Sequence, residues 1–520
     1  MRFIKEIGNW IEKNKEKGKN IEPKEWNKWW MPLIAFIAFL WFVIRVIPKP
    51  SRIRYPCQRA AFPLAMGFIA WVIGIFSMSF SIHSIIKNFK ENNHLSILMF
   101  LLILIIASGF FVSTNNYEKI VANNDKPLGV PKGVKPGRVV WNYNPSATSW
   151  DGSSNYWWDE ENTDLTEVKG MFKNSLLQLA GAENIEEAWD KIFNNYNKNI
   201  RSISKGYSKG EIIAVKLNLN THSKYDEKSN EINTSPQVVL SLVESLVENT
   251  KVTGKQIVLY DASRPLGDVI YNLVHNKYPN VKFVDNKGGE GREKVEVDKK
   301  SEIYYQGIEY EKVDKIPKTV TEADYLINIA NLKKHSLAGV TFTAKNHFGS
   351  IYSGTYDSWT PMHLHSGINA NANKMGSPNP LVNLIGHKNL GQKTLLYIID
   401  GLYGGLNQQS VEPHRWEMPP FENGWSSSLF LSQDPIAIDS VAFDFLKSET
   451  ELLPYTDNYL HEAAQANNPP SGVDYDPEKD GQTLDSLGVH EHWNNQEEKL
   501  YSKNIDSNND GIELIKILSR

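Results

Sequence analysis

The sequence predicts an α/β domain, a mostly parallel sheet with helices on both faces, preceded by an all-α membrane region of about three transmembrane helices. Three observations carry this. From about residue 210, short apolar runs alternate with segments of helical apolar spacing, the pattern of a parallel sheet buried on both faces. Polar residues recur where the strand-like runs end. Three long apolar runs stand ahead of a chain that turns polar.

The apolar runs are 31-MPLIAFIAFLWFVI-44, continuing to Pro48 across Arg45, then 62–82 and 95–112. A spanning helix needs roughly 20 mainly apolar residues. The second and third runs meet that; the first is shorter but follows 26-WNKWW-30, and Trp favours the membrane interface. Residues 3–17 read as an amphipathic helix on the headgroups. The expectation is a multi-pass membrane protein with the lipid bilayer as partner: residues 1–118 in the membrane, a linker over 119–138 and an α/β domain over 139–520. Lys and Arg divide almost evenly between the two sides, with a weak lean that places the large domain outside the cytoplasm.

Helices are expected over 165–181 and 184–197. A strand over 211–220 ends in amides. The helix at 235–250 has Ser235 to cap it, Pro236 in its first turn, and Val239, Leu242, Val243 and Leu246 on one face. Strands follow at 255–265, 280–285, 324–331, 393–405 and 428–433, with helices at 268–277 and 435–448. In such sheets ligands bind at the carboxyl ends of the strands. Asn218 and Asn220 stand there on the first strand and Asp261 on the second. Asn328, Asn331, Lys333 and His335 follow the next long one, and Asp400 ends another. Asn and Asp also close strands as ordinary turn formers, so the convergence of four strands, not any single residue, argues for a site.

Together 214-AVKLNLN-220, 235-SPQVV-239, 258-VLYDAS-263, 328-NIANLKKHSLAGVTFTAKNHFGS-350, 397-YIIDGLYGG-405 and 433-QDPIAIDSVAFDFL-446 resemble the domain-of-unknown-function 362 family, over roughly residues 135 to 520. The resemblance implies an α/β domain and a site built around Lys334, His335, Thr341, Lys345 and Asn346. It implies no reaction. Some relatives carry cysteine-rich ferredoxin-like modules; this chain has one cysteine, Cys57, and no such module, so no iron–sulfur cluster is expected.

The block 331-NLKKHSLAGVTFTAKNHFGS-350 offers what an anion needs, point charges and oriented donors. Lys334, His335, Lys345 and Asn346 are the candidate catalytic residues. Asn218, Asn220, Asp261, Asn331, Thr341, Thr343 and Asp400 are the candidate ligand-binding residues. Thr341 and Thr343 share one face if the segment is extended. A buried lysine can act as a base or form a Schiff base; the alternative is a solvated lysine pair among structural amides. His363 with His365, and His490 with His492, sit two apart and bind one metal if extended, or are hydrogen-bonded imidazoles. A divalent metal is therefore a candidate cofactor. In 506-DSNNDGIE-513 a calcium loop lacks its closing Glu, and a turn fits better. Asp434 reads as a helix cap with Pro435 behind it. The aromatic-rich 141-WNYNPSATSWDGSSNYWWDE-160 either packs or stacks on sugars.

The net charge of -4 gives no basic face for nucleic acid. No nucleophile elbow, P-loop or dinucleotide fingerprint is present. The best expectation is an enzyme acting on an anionic small molecule or cell-envelope component. The alternatives are a non-catalytic envelope protein binding a glycan or a membrane partner subunit, and a metal-dependent redox subunit.

Overall fold

A computed structural model describes residues 126–220, 224–308, 312–407 and 412–519. Strands β1 (Arg138–Tyr143), β2 (Ile213–Lys216), β3 (Ile257–Asp261), β4 (Lys282–Asp285), β5 (Tyr325–His335), β6 (Thr394–Gly405), β7 (Ser428–Ser432) and β8 (Glu513–Leu518) form one sheet in the order β8-β1-β7-β6-β5-β2-β3-β4. Residues Glu293–Lys294 extend it past β4, and Gly339–Val340 fold back onto β5.

The sheet is mixed, which corrects the expectation of a mostly parallel one. The half β6-β5-β2-β3-β4 is parallel throughout. β7 runs antiparallel to both β6 and β1, while β8 is parallel to β1. A parallel neighbour needs a crossover of a dozen or more residues, usually a helix. The connection between β6 and β7 contains no helix among its described residues, so β7 turns back beside β6.

Two layers of apolar side chains, one on each face, follow from the period of two. On β5, Tyr325, Ile327 and Ile329 enter one cluster, and Leu326, Ala330 and Leu332 enter the other. Helices α1 (Leu165–Ala180), α2 (Ile185–Asn199), α3 (Pro236–Asn249) and α4 (Asp268–Lys277) feed the first cluster. The four-residue turn α5 (Thr343–Asn346), then α6 (Pro380–Gly386), α7 (Pro435–Glu449) and α8 (Asn458–Ala464), feed the second. Caps fix the starts. Asp164 and Asn184 accept backbone N–H groups of α1 and α2. Asp434 accepts from Ile436 and Ala437 at 3.0 and 2.9 Å.

Among the described residues no helix is long and apolar enough to cross a membrane. This overturns the expectation of a multi-pass chain with an extracytoplasmic domain. The three apolar runs themselves lie outside the described residues. The aromatic segment packs: Trp157 is 1% exposed, and Trp150 stacks on Trp425 at 5.3 Å between ring centroids. β1 ends inside this stretch, pairing Trp141 with Phe430 of β7.

Candidate functional site

The carboxyl ends of β2, β3 and β5 open onto a cavity of about 170 Å3. Each strand keeps its apolar residues in the sheet and turns polar where backbone pairing ends. β2 delivers Lys216 and runs on to Asn218 and Asn220. β3 delivers Asp261, followed by Arg264. β5 delivers Lys333 and His335. The hairpin after β5 returns Thr341, and α5 then presents Lys345 and Asn346.

One wall is a closed polar network. Lys216 Nζ donates to Asp261 Oδ2 at 2.9 Å, to Asn346 Oδ1 at 3.2 Å and to its neighbour's carbonyl, Leu217 O. All three of its protons are used. Asn346 Oδ1 also accepts from Asn218 Nδ2 at 2.9 Å, and its Nδ2 donates to Asn328 Oδ1 and Ile329 O. Asp261 Oδ1 accepts from Ser263 and Arg264 N–H, closing the turn after β3. Gly349 lies against this pair: a Cβ there would sit 2.6 Å from Lys216 Nζ and 2.9 Å from Asp261 Oδ1. Only glycine lets the backbone approach so closely.

The other wall carries charge with little compensation. Lys333 Nζ donates to one neutral acceptor, Asn220 Oδ1, at 2.7 Å. Lys345 Nζ makes no hydrogen bond and no ion pair to any described residue; it stands 3.5 Å above the centre of the Phe348 ring. Among the described residues the Arg264 guanidinium donates only to the carbonyl of Ser263. Asp261 is committed to Lys216. Glu231, outside the cavity lining, acts on Lys333 through its field. Burial pulls Lys333 down to about 7, with Arg264 adding to the effect. Burial, then Lys333, Lys216 and Arg264, brings Lys345 down to about 7. Thr341 is 6% exposed, lines the cavity, and its hydroxyl has no partner.

His335 Nδ1 accepts from the N–H groups of Leu337 and Ala338, both at 3.1 Å. That leaves the ring proton on Nε2. Burial, then Lys345, His365 and Lys333, holds this imidazole well below its usual range, so it is neutral. His365 lies parallel to it at 5.8 Å and is brought to about 4 by burial and by Lys345.

The cavity therefore gathers Asn218, Asn220, Asp261, His335, Thr341, Lys345 and Asn346 from the expected set. Lys334 points the other way and donates to Thr450 Oγ1 at 3.0 Å and Glu451 O at 2.6 Å. Successive strand residues face opposite sides, so choosing Lys333 as the site lysine excludes Lys334. Asn331 braces Asn218 from behind, donating to its Oδ1 at 3.0 Å. Asp400 accepts the Ser235 N–H at 2.7 Å and anchors the start of α3. Thr343 is not extended beside Thr341. It begins α5, where its N–H and hydroxyl and the Ala344 N–H all reach Asp439.

The histidine pairs also separate. His363 stands at the start of a helical turn, 2.9 Å from Asp314 Oδ2, while His365 turns to the cavity. His490 accepts from or donates to Ser440 Oγ at 2.8 Å, and His492 binds Asp444 at 2.6 Å. His461 joins them, its Nε2 3.3 Å from that of His490. No group of three or more His, Cys, Asp or Glu side chains among the described residues is arranged to hold a metal ion. His363, His365, His490 and His492 are hydrogen-bonded to Asp314, Met362 O, Ser440 and Asp444 respectively. Lys216 and Arg264 were not read from sequence as site residues. Lys216 is a charged residue on a run otherwise apolar to its end, and that break in pattern marks it.

Fold and cavity define an α/β protein with a cationic pocket at the carboxyl edge of its parallel half-sheet. Residues 213–444, which hold β2, β3, β5 and α5, match the family described as Domain of unknown function (DUF362). No curated protein matches the chain.

Proposed function

We propose that this protein is an enzyme that binds a small anionic molecule in the cavity between β2, β3, β5 and α5. One observation carries the reading: Lys333, Lys345 and Arg264 line a common cavity and no carboxylate pairs with any of them among the described residues. A cluster of like charges in a buried place is costly unless an opposite charge joins it. An anionic ligand removes that cost.

In this reading Lys333 and Arg264 grip the anion, and the Thr341 hydroxyl and His335 Nε2–H orient it. The Lys216–Asp261–Asn346–Asn218 network frames the wall. Lys345 stands nearest in kind to a reacting group, as its amine has no acceptor. The cavity holds about six waters' worth of space at ~30 Å3 each, which suits a ligand of a few heavy atoms.

The test is titration of the full chain with sulfate, phosphate and pyruvate, followed by heat and by thermal unfolding. The reading expects a saturable rise in Tm for at least one anion. Lys345→Ala abolishes that response while circular dichroism stays native. Loss of folding in this variant, with no anion response in the parent, makes the lysine structural. The glycan reading finds no exposed platform at Trp157, which is 1% exposed.

A further inference from the structure

The three cavity lysines differ in what their amino groups meet. Among the described residues Lys216 Nζ has three acceptors and Lys333 Nζ has one, while Lys345 Nζ has none and faces the Phe348 ring. An ammonium needs acceptors for its three protons; an amine needs none. The geometry points to a division of labour: Lys216 and Lys333 are held by acceptors, and Lys345 is the amino group left free to react as its neutral amine. We infer that Lys345 is a nucleophile forming an imine with a carbonyl-bearing anion of the 2-oxo acid class. This rests on the anionic-ligand reading above.

The substrate class follows from the lining. A carboxylate next to a carbonyl would lie between Lys333 and Arg264 and bring its carbonyl carbon to Lys345. Burial and the surrounding cations free the Lys345 lone pair near neutral pH. The lone pair forms a C–N bond as the carbonyl π pair moves to oxygen. One amine proton passes to that oxygen through the Thr341 hydroxyl, giving a carbinolamine. The Lys333 ammonium then protonates the hydroxyl, water leaves, and a C=N⁺ iminium remains. Amine, carbonyl and one proton have become iminium and water. The iminium is a cation held over the Phe348 ring, where the negative face stabilises it.

The test is to incubate the full chain with pyruvate and sodium cyanoborohydride, then map reduced adducts by peptide mass spectrometry. Sulfate and pyruvate titrations run beside it. The expected result is a single reduced adduct on Lys345, absent in Lys345→Arg, retained in Lys334→Arg, and at least tenfold weaker with acetaldehyde, which lacks the carboxylate. Pyruvate binding with no adduct on Lys345 overturns the imine and leaves the anion reading standing. Adducts scattered over surface lysines overturn it as well. No anion binding together with no adduct removes both. If Lys345→Arg fails to fold, the adduct position in the unaltered chain still decides.

Discussion

Lys216 Nζ lies 2.9 Å from Asp261 Oδ2, and the two side chains are 1% and 3% exposed. This ion pair ties β2 to β3 at the point where both strands leave the sheet, and Asn346 joins it to α5. Pairs this deeply buried add little net stability, yet removing one partner leaves a charge stranded. They serve to hold one geometry. Asp261→Asn is therefore expected to destabilise the fold by about 3–5 kcal/mol. Urea unfolding of the two proteins measures this; a loss under about 1 kcal/mol would show that Lys216 finds another partner.

Gly349 controls the same pair from the other side. Its missing side chain leaves room that a Cβ would invade, 2.6 Å from Lys216 Nζ. Gly349→Ala should cost about 1–3 kcal/mol through overpacking and weaken anion binding. Thermal unfolding with and without sulfate separates the two effects. An unchanged Tm and an unchanged sulfate response would mean that the loop moves aside freely.

Neighbouring lysines on β5 should behave differently. Lys333 faces the cavity, while Lys334 bonds Thr450 and Glu451. A hydrogen bond to a charged group is worth about 1.5–3 kcal/mol, so Lys333→Ala should weaken anion binding by roughly 10- to 100-fold. Lys334→Ala should change it less than about twofold. Equal losses for both would refute the assignment of faces.

Anion affinity should fall as pH rises. In the empty cavity Lys333 and Lys345 each titrate near about 7. A bound anion favours their charged forms and raises both pKa values. Binding is therefore strongest below about pH 7 and weakens above it, with up to two protons taken up per anion. Without ligand the sign for folding is opposite: the unfolded chain holds these protons to higher pH than the folded one, so these two groups add stability between about 7 and 10. Calorimetry in buffers of different ionisation enthalpy counts the protons. Zero uptake at pH 8 would contradict the cavity electrostatics.

Much of the fold was legible because strand and helix periods are written in apolar residues. The run ending at Asn218 and Asn220, the helix at 235–250 and the strand at 393–405 fall within a few residues of β2, α3 and β6. β1 was hidden because Trp141 and Tyr143 begin an aromatic-rich stretch that resembles a binding surface. β8 was hidden behind the Asn- and Asp-rich turn before it. β7, antiparallel to both of its neighbours β6 and β1, makes the sheet mixed, while β1 and β8 run in the direction of β6. In the site, Asn218 and Asp261 could be read from their positions at strand ends, and Lys345 from the lysine- and amide-rich block that follows β5. The family resemblance points to Lys334, although the period of two, counted back from His335, favours Lys333. His363 and His365 part because a helical turn replaces the extended segment that would have aligned them. Asp400 and Thr343 bond to backbone groups that no local pattern announces.

The central claim is that Lys333, Lys345 and Arg264, with no carboxylate paired to any of them among the described residues, make this cavity an anion site. Isothermal titration of the full chain with pyruvate and with sulfate at pH 6.5, alongside Lys333→Ala and Lys345→Ala, tests it most directly. The account predicts one site per chain, lost or weakened at least tenfold in each variant, with the variants folded. No saturable binding of any small anion, or binding untouched by both substitutions, would contradict it.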